Sequence, residues 1–134
     1  MSKIDADRFE TSIAPWLAVL DAEQALQFYE AAFGAIESYR LDGDDGMLAV
    51  AQLSVGGAVF WIQGDPDASP DGRLGAGSVR MILSVEDPDG AFDQAVSAGA
   101  TVVNPVSEDH GWRTGRVIDP SGHDWEIGRR VSRA

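Results

Sequence analysis

Leu17-Ala18-Val19-Leu20-Asp21 returns 66 residues later as Leu83-Ser84-Val85-Glu86-Asp87. Each copy reads as the end of a strand followed by an acid able to cap a helix. Ala25 maps onto Ala91 at the same offset. Ala32-Phe33-Gly34-Ala35 becomes Ala98-Gly99-Ala100 after one deletion, so the offset falls to 65. It then carries Gly57 onto Gly122, Phe60 onto Trp125 and Ile62 onto Ile127. The chain therefore reads as two strand-helix-three-strand units. Each unit has one helix to cover one sheet face, so the opposite faces must meet each other, a ligand or another subunit.

Outward from the repeat, Ile13 to Val19 predicts a strand, with Pro15 near its start where a missing N–H is tolerated. Ala25, Phe28, Tyr29 and Ala32 recur at helical spacing within a helix from Ala22 to Phe33, which Asp21 caps and Gly34 ends. Strands are predicted at Ile36 to Leu41, Met47 to Val55 and Ala58 to Ile62. Asp42 to Gly46 turns between the first two, and Gly56-Gly57 joins the last two. In the second half, a strand from Ser78 to Val85 precedes a helix from Asp89 to Ala98, with Asp87 as its cap. Thr101-Val102-Val103 reads as a short strand, and Asn104 to Gly111 as a loop. Arg113 to Ile118 and His123 to Ile127 form a hairpin about Asp119-Pro120-Ser121-Gly122, a tight turn in which proline presets φ and glycine accepts a positive one. Residues 1 to 11 look like a loose arm and residues 129 to 134 like a surface tail. At 134 residues one domain is expected, 1–134, with module 1 at about 12–64, a Gly/Pro/Asp-rich linker at 65–77 and module 2 at about 78–130.

Composition narrows the function classes. The net charge of −12 argues against nucleic acid and against an anionic membrane surface as partners. No apolar run approaches the length of a membrane span. Zero cysteines exclude disulfides and thiolate metal sites, and fit a cytoplasmic location. The charge is lopsided: ten acids face a lone Arg40 between Ser12 and Gly72, whereas nine acids and seven arginines follow from Arg73 onward. A solvated acidic surface accounts for this, and so does a groove attractive to a cationic ligand. The glycines at 56–57 and at 72, 75 and 77 lack the setting of a phosphate loop.

The repeat also compares positions. Glu126 falls on Trp61, and Arg80 on Ala14. By strand alternation Leu17, Val19, Leu83 and Val85 pack against the helices, which turns Ala14, Trp16, Arg80 and Ile82 to the opposite, concave side. Trp61, Gln63, Asp124 and Glu126 share that side. A carboxylate among apolar strand residues needs a metal, a cation or a ligand, and Arg80 across the cavity is the expected partner of Glu126. Trp16, Trp61 and Trp112 could line an apolar pocket, or belong to core or interface. His123 falls on the side opposite Glu126, in a structural role. His110, in Glu108-Asp109-His110-Gly111-Trp112, could border the cup, where a histidine-carboxylate pair could act as acid or base. No nucleophile arrangement accompanies it.

Three segments resemble the vicinal oxygen chelate superfamily of glyoxalase I, extradiol dioxygenases and bleomycin-resistance proteins, and most closely its PhnB-like members. They are Pro15-Trp16-Leu17 with Ala25-Leu26-Gln27-Phe28-Tyr29-Glu30-Ala31-Ala32-Phe33-Gly34, then Trp112-Arg113-Thr114-Gly115-Arg116, and Asp119-Pro120-Ser121-Gly122-His123-Asp124-Trp125. The resemblance spans about residues 12 to 128. It implies an α+β fold of two βαβββ modules, a cup-shaped mixed sheet with helices outside, and commonly a homodimer. Metal-binding members carry His, Glu or Gln, His and Glu on four strand positions, which match Ala14, Trp61, Arg80 and Glu126 here. Only Glu126 retains a ligand type, and one carboxylate makes no metal site.

The expectation is a homodimer that binds a small organic molecule in an aromatic-lined cup, with no metal and no other cofactor. Sequestration of a bleomycin-like drug is one version. Ligand-binding candidates are Trp16, Trp61, Gln63, Arg80, Trp112 and Glu126, with His110 and Asp124 behind them. One alternative is a metal-dependent lyase, isomerase or dioxygenase of the glyoxalase type that recruits its metal through Glu126 and a histidine. Another is a structural or regulatory dimer with a filled cup.

Overall fold

The computed structural model describes residues 10–68 and 79–131. The elements are β1 (Trp16–Val19), α1 (Ala22–Phe33), β2 (Ile36–Asp42), β3 (Leu48–Val55), β4 (Ala58–Gly64), β5 (Arg80–Ser84), α2 (Pro88–Ala98), β6 (Thr101–Asp109), β7 (Trp112–Ile118) and β8 (Asp124–Arg130). They form two four-stranded mixed sheets, ordered β1-β4-β3-β2 and β5-β8-β7-β6. In each, the first strand runs parallel to the last and the others are antiparallel. This is the expected pair of βαβββ modules.

Both helices are closed as their sequences direct. The Asp21 carboxylate accepts from the Gln24 N–H and the Asp87 carboxylate from the Gly90 N–H, each filling one unpaired donor of a first turn. Gly34 ends α1 at φ 69°, a left-handed conformation that a side chain would strain. At Gly115 the need is for space: a Cβ there would lie 2.7 Å from the Phe92 ring of α2 and 2.9 Å from Val106. Glycine lets the helix sit directly on β7.

The helix-covered faces of both sheets share one core. Tyr29, fully buried on α1, packs against Phe60 of β4 and Trp125 of β8, with ring centroids 5.2 and 5.7 Å away. Phe33 lies 4.7 Å from Trp125, and Phe60 lies 5.6 Å from it. Fully burying each such side chain contributes about 2–3 kcal/mol, so the modules are held as one body. The Tyr29 hydroxyl also donates to the buried Asp119 carboxylate at 2.5 Å. Burial, followed by that adjacent carboxylate, pushes the Tyr29 phenol well above its ordinary pKa. Because the covered faces meet, the open faces of the two sheets look away from one another.

Some elements differ from those the sequence predicts. β6 runs to Asp109, where a short strand and a long loop were expected. As the edge of its sheet it leaves one row of backbone groups unpaired. Pro105 therefore costs no ladder bond, and register shifts on both sides of Asn104 absorb the irregularity. His110 and Gly111, at φ 54° and 84°, make a two-residue hairpin turn, as Gly56 and Gly57 do at 57° and 91°. Arg129 and Arg130 belong to β8, not to a tail. The linker beyond residue 68, the arm up to residue 9, Ser78 at the head of the predicted fifth strand and the last three residues lie outside the described residues.

α2 is tied to β7 by a bidentate pair. Arg113 Nε and Nη2 each reach an Asp89 oxygen at 2.6 Å. The hydrogen bonds from Arg113 hold the Asp89 carboxyl below the usual aspartate range. A depressed carboxyl pKa stabilises the fold above the unfolded-state value of about 3.9, and that contribution is lost as pH falls through the folded value. Following carboxyl carbon shifts by NMR, Asp89 should titrate below free aspartate in the native protein and return toward it in Arg113→Met. An unchanged midpoint in the variant would show that the pair does not form in solution.

Candidate functional site

Each open face carries half of a candidate site. On the first sheet the strand register puts Trp16, Trp61, Gln52 and Tyr39 in one row across β1, β4, β3 and β2. Trp16 and Trp61 stack with centroids 5.8 Å apart and planes 23° from parallel. Tyr39 meets Trp61 edge-on, also at 5.8 Å. The Trp16 indole N–H donates to Gln63 Oε1 at 2.8 Å, which fixes that ring in place. Trp16 is 53 % exposed and Tyr39 48 %. Ile36 and Leu41 are exposed with them, a contiguous apolar surface of the kind that marks binding sites.

The second open face is charged. Arg80 Nη1 donates to Glu126 Oε1 at 2.8 Å, and Arg116 Nη2 to Asp124 Oδ2 at 2.6 Å. The hydrogen bond to Asp124, with the Asp124 and Glu126 charges adding to it, raises the Arg116 pKa against the opposing effect of burial. The predicted Arg80-Glu126 pair therefore exists, but between neighbouring strands of one sheet rather than across a cavity. Cross-strand geometry decides this: β5 lies beside β8, whereas Trp61 belongs to the other sheet and Ala14 precedes that sheet's first strand. Trp112 stands at the far end of this face with the Arg130 guanidinium 5.9 Å from its ring centroid, a cation–π contact.

The four positions that match a superfamily metal centre do not fit a metal here. Neither Ala14, just before β1, nor Trp61 on β4 offers a metal ligand. On the second, Glu126 is engaged by Arg80, whose permanent charge would oppose a divalent ion. Among the described residues no three His, Asp or Glu side chains converge as ligands. A histidine from the same chain does not remedy this. His123 lies on the helix-covered side, its Nε2 2.8 Å from the carbonyl oxygen of Ala18. His110 sits in the β6–β7 turn with its side chain 90 % exposed. Trp112, next to that turn, pairs with Arg130, four residues or roughly 13 Å along β8 from Glu126. His110 and Glu126 thus cannot share a metal within one chain, and the carboxylate beside His110 is that of Asp109 in the same exposed turn, 3.6 Å from its Nε2.

Of the predicted residues, Trp16, Trp61 and Gln63 come together on one face, and Arg80, Asp124 and Glu126 on the other. Trp112 shares the second face at a distance, and His110 stands apart. Sequence reasoning missed Tyr39 and Arg116. The signal was available for Arg116, which the hairpin about Asp119–Gly122 sets opposite Glu126, whereas Tyr39 joins the row through its register with Gln52, itself opposite Trp61. The bulge between Glu37 and Tyr39 hides the alternation that would have found Tyr39.

Residues 10–127 match the profile of the Glyoxalase/Bleomycin resistance protein/Dioxygenase superfamily. The chain belongs to this superfamily. TioX from Micromonospora sp. ML1 superposes with a TM-score of 0.70 at 25 % identity, over 92 % of this chain and 99 % of that one. The fosfomycin resistance protein FosX from Mesorhizobium loti superposes with a TM-score of 0.65 at 15 % identity, covering 91 % and 93 % of the two chains, a likeness of fold. An uncharacterised protein of Mycobacterium bovis is 39 % identical over 130 residues, spanning 91 % of this chain and 85 % of its own length. Among the described residues no helix is long and apolar enough to cross a membrane.

Proposed function

We propose that this glyoxalase-superfamily protein, PhnB-like in its Ala25–Gly34 and Asp119–Trp125 segments, is a cytoplasmic homodimer that binds a small, flat organic molecule without a metal. The aromatic face of one copy and the charged face of a second would form each cup. The observation that carries this reading is the stacked, half-exposed Trp16-Trp61 pair, with Trp61 standing where metal-binding relatives are expected to place a ligand. A planar π-surface with Tyr39 at its side binds rings by stacking and cations by their attraction to the π-face. The open apolar face also gives a second copy something to cover. Drug sequestration of the bleomycin kind is one form this function takes.

The test combines light scattering with a titration of tryptophan fluorescence, using bleomycin and the flat cation proflavine. A dimer is expected, with a saturable emission change below millimolar ligand that EDTA leaves unaltered. Silence from both ligands up to millimolar concentration would refute the drug-sequestration form of the binding reading. About one tightly held ion per cup in protein purified without chelator would refute the metal-free one.

A further inference from the structure

Around Glu126 the charged face sets two arginines, Arg80 and Arg116, against two carboxylates, Asp124 and Glu126. In the strand register Arg80 stands directly beside Asp124, and Arg116 directly beside Glu126. The hydrogen bonds instead run diagonally, from Arg80 to Glu126 and from Arg116 to Asp124. One half of the unused pairing remains close, with Arg80 Nε 4.0 Å from Asp124 Oδ2. Side-chain exposures of 45 % for Arg80 and 24 % for Glu126 mean that opening their bond costs little.

We propose that this face reads a zwitterion, an ammonium and a carboxylate close together on one flat ligand whose ring lies on the aromatic face. The inference rests on the cup described under the proposed function and names its ligand class. The ligand carboxylate takes the Arg80 guanidinium, and its ammonium takes Glu126. Arg116 and Asp124 keep each other, so every charge stays compensated once the cup excludes water. A ligand with only a negative or only a positive charge would release Glu126 or Arg80 from its partner and leave that charge unmatched.

Calorimetric titration with L-tryptophan, its methyl ester and N-acetyl-L-tryptophan separates these cases, since the three share a ring and differ in charge. L-Tryptophan is expected to bind at least about ten-fold more tightly than either derivative. Glu126→Gln should narrow its lead over the N-acetyl form, and Arg80→Met its lead over the ester. Equal affinities, or leads that neither variant changes, would overturn the zwitterion inference. If bleomycin or proflavine binds while L-tryptophan does not, the inference falls and the binding reading stands. If none of these ligands binds, both fall.

Discussion

Asp119→Ala is expected to lower the free energy of unfolding by about 4 kcal/mol, because each buried donor left without its acceptor costs about 1–3 kcal/mol. Asp119 is only 3 % exposed, and its carboxylate accepts four hydrogen bonds. Tyr29 Oη donates at 2.5 Å, Trp125 Nε1 at 2.8 Å, and the Ser121 and His123 N–H groups at 2.9 and 3.0 Å. The two ring donors are sealed in the core, while the backbone pair lies nearer the surface where water can replace the lost acceptor. Asp119→Asn should cost about half as much, since its amide oxygen still serves the turn while its NH2 opposes the Trp125 donor. Urea denaturation measures both, and a loss below about 1 kcal/mol for the alanine variant would contradict this account of the core.

The same hub carries an alkaline signature. The Tyr29 phenol is raised in the native state, so the folded protein keeps a proton that the unfolded chain releases at about pH 10. Stability from this group is complete below that pH and declines as pH rises above it. Tyr29→Phe should flatten the decline. The consequence reaches the candidate site, because the Asp119 turn positions His123 against the Ala18 carbonyl of β1, the strand that carries Trp16.

Trp61→Ala is expected to weaken ligand binding about a hundred-fold, or about 2.7 kcal/mol, the scale of a central aromatic anchor. Trp61 is the middle of the platform: it stacks on Trp16 and receives the edge of Tyr39. Its removal leaves two half-exposed rings with no continuous surface between them. Trp61→Phe keeps a π-face and should lose no more than about ten-fold. Calorimetry reads both variants without relying on the fluorophore that is removed. Wild-type affinity in the alanine variant would move the binding surface elsewhere.

Much of this fold is legible in the amino-acid order. Asp21, Gly34 and the three- and four-residue spacing of Ala25, Phe28, Tyr29 and Ala32 place α1 at Ala22–Phe33, the bounds observed. Local capping chemistry depends on nearby residues alone. β6 is not legible, because whether Pro105 breaks a strand depends on which neighbour that strand has. The partner of Glu126 is legible as a residue and misplaced in space. Alternation says which side of a strand a residue occupies, but not which strands lie side by side.

Residue order alone establishes the two modules and the side of each strand on which Trp16, Trp61, Arg80 and Glu126 stand. These follow from an internal repeat and a two-residue period, and both are written in the chain. Three-dimensional packing was needed to join the helix-covered faces through Tyr29, Phe60 and Trp125, and hence to point the aromatic and charged faces apart. Contact between residues as distant in the chain as Phe60 and Trp125 is settled by the burial of large rings and one carboxylate, a balance that no local pattern records.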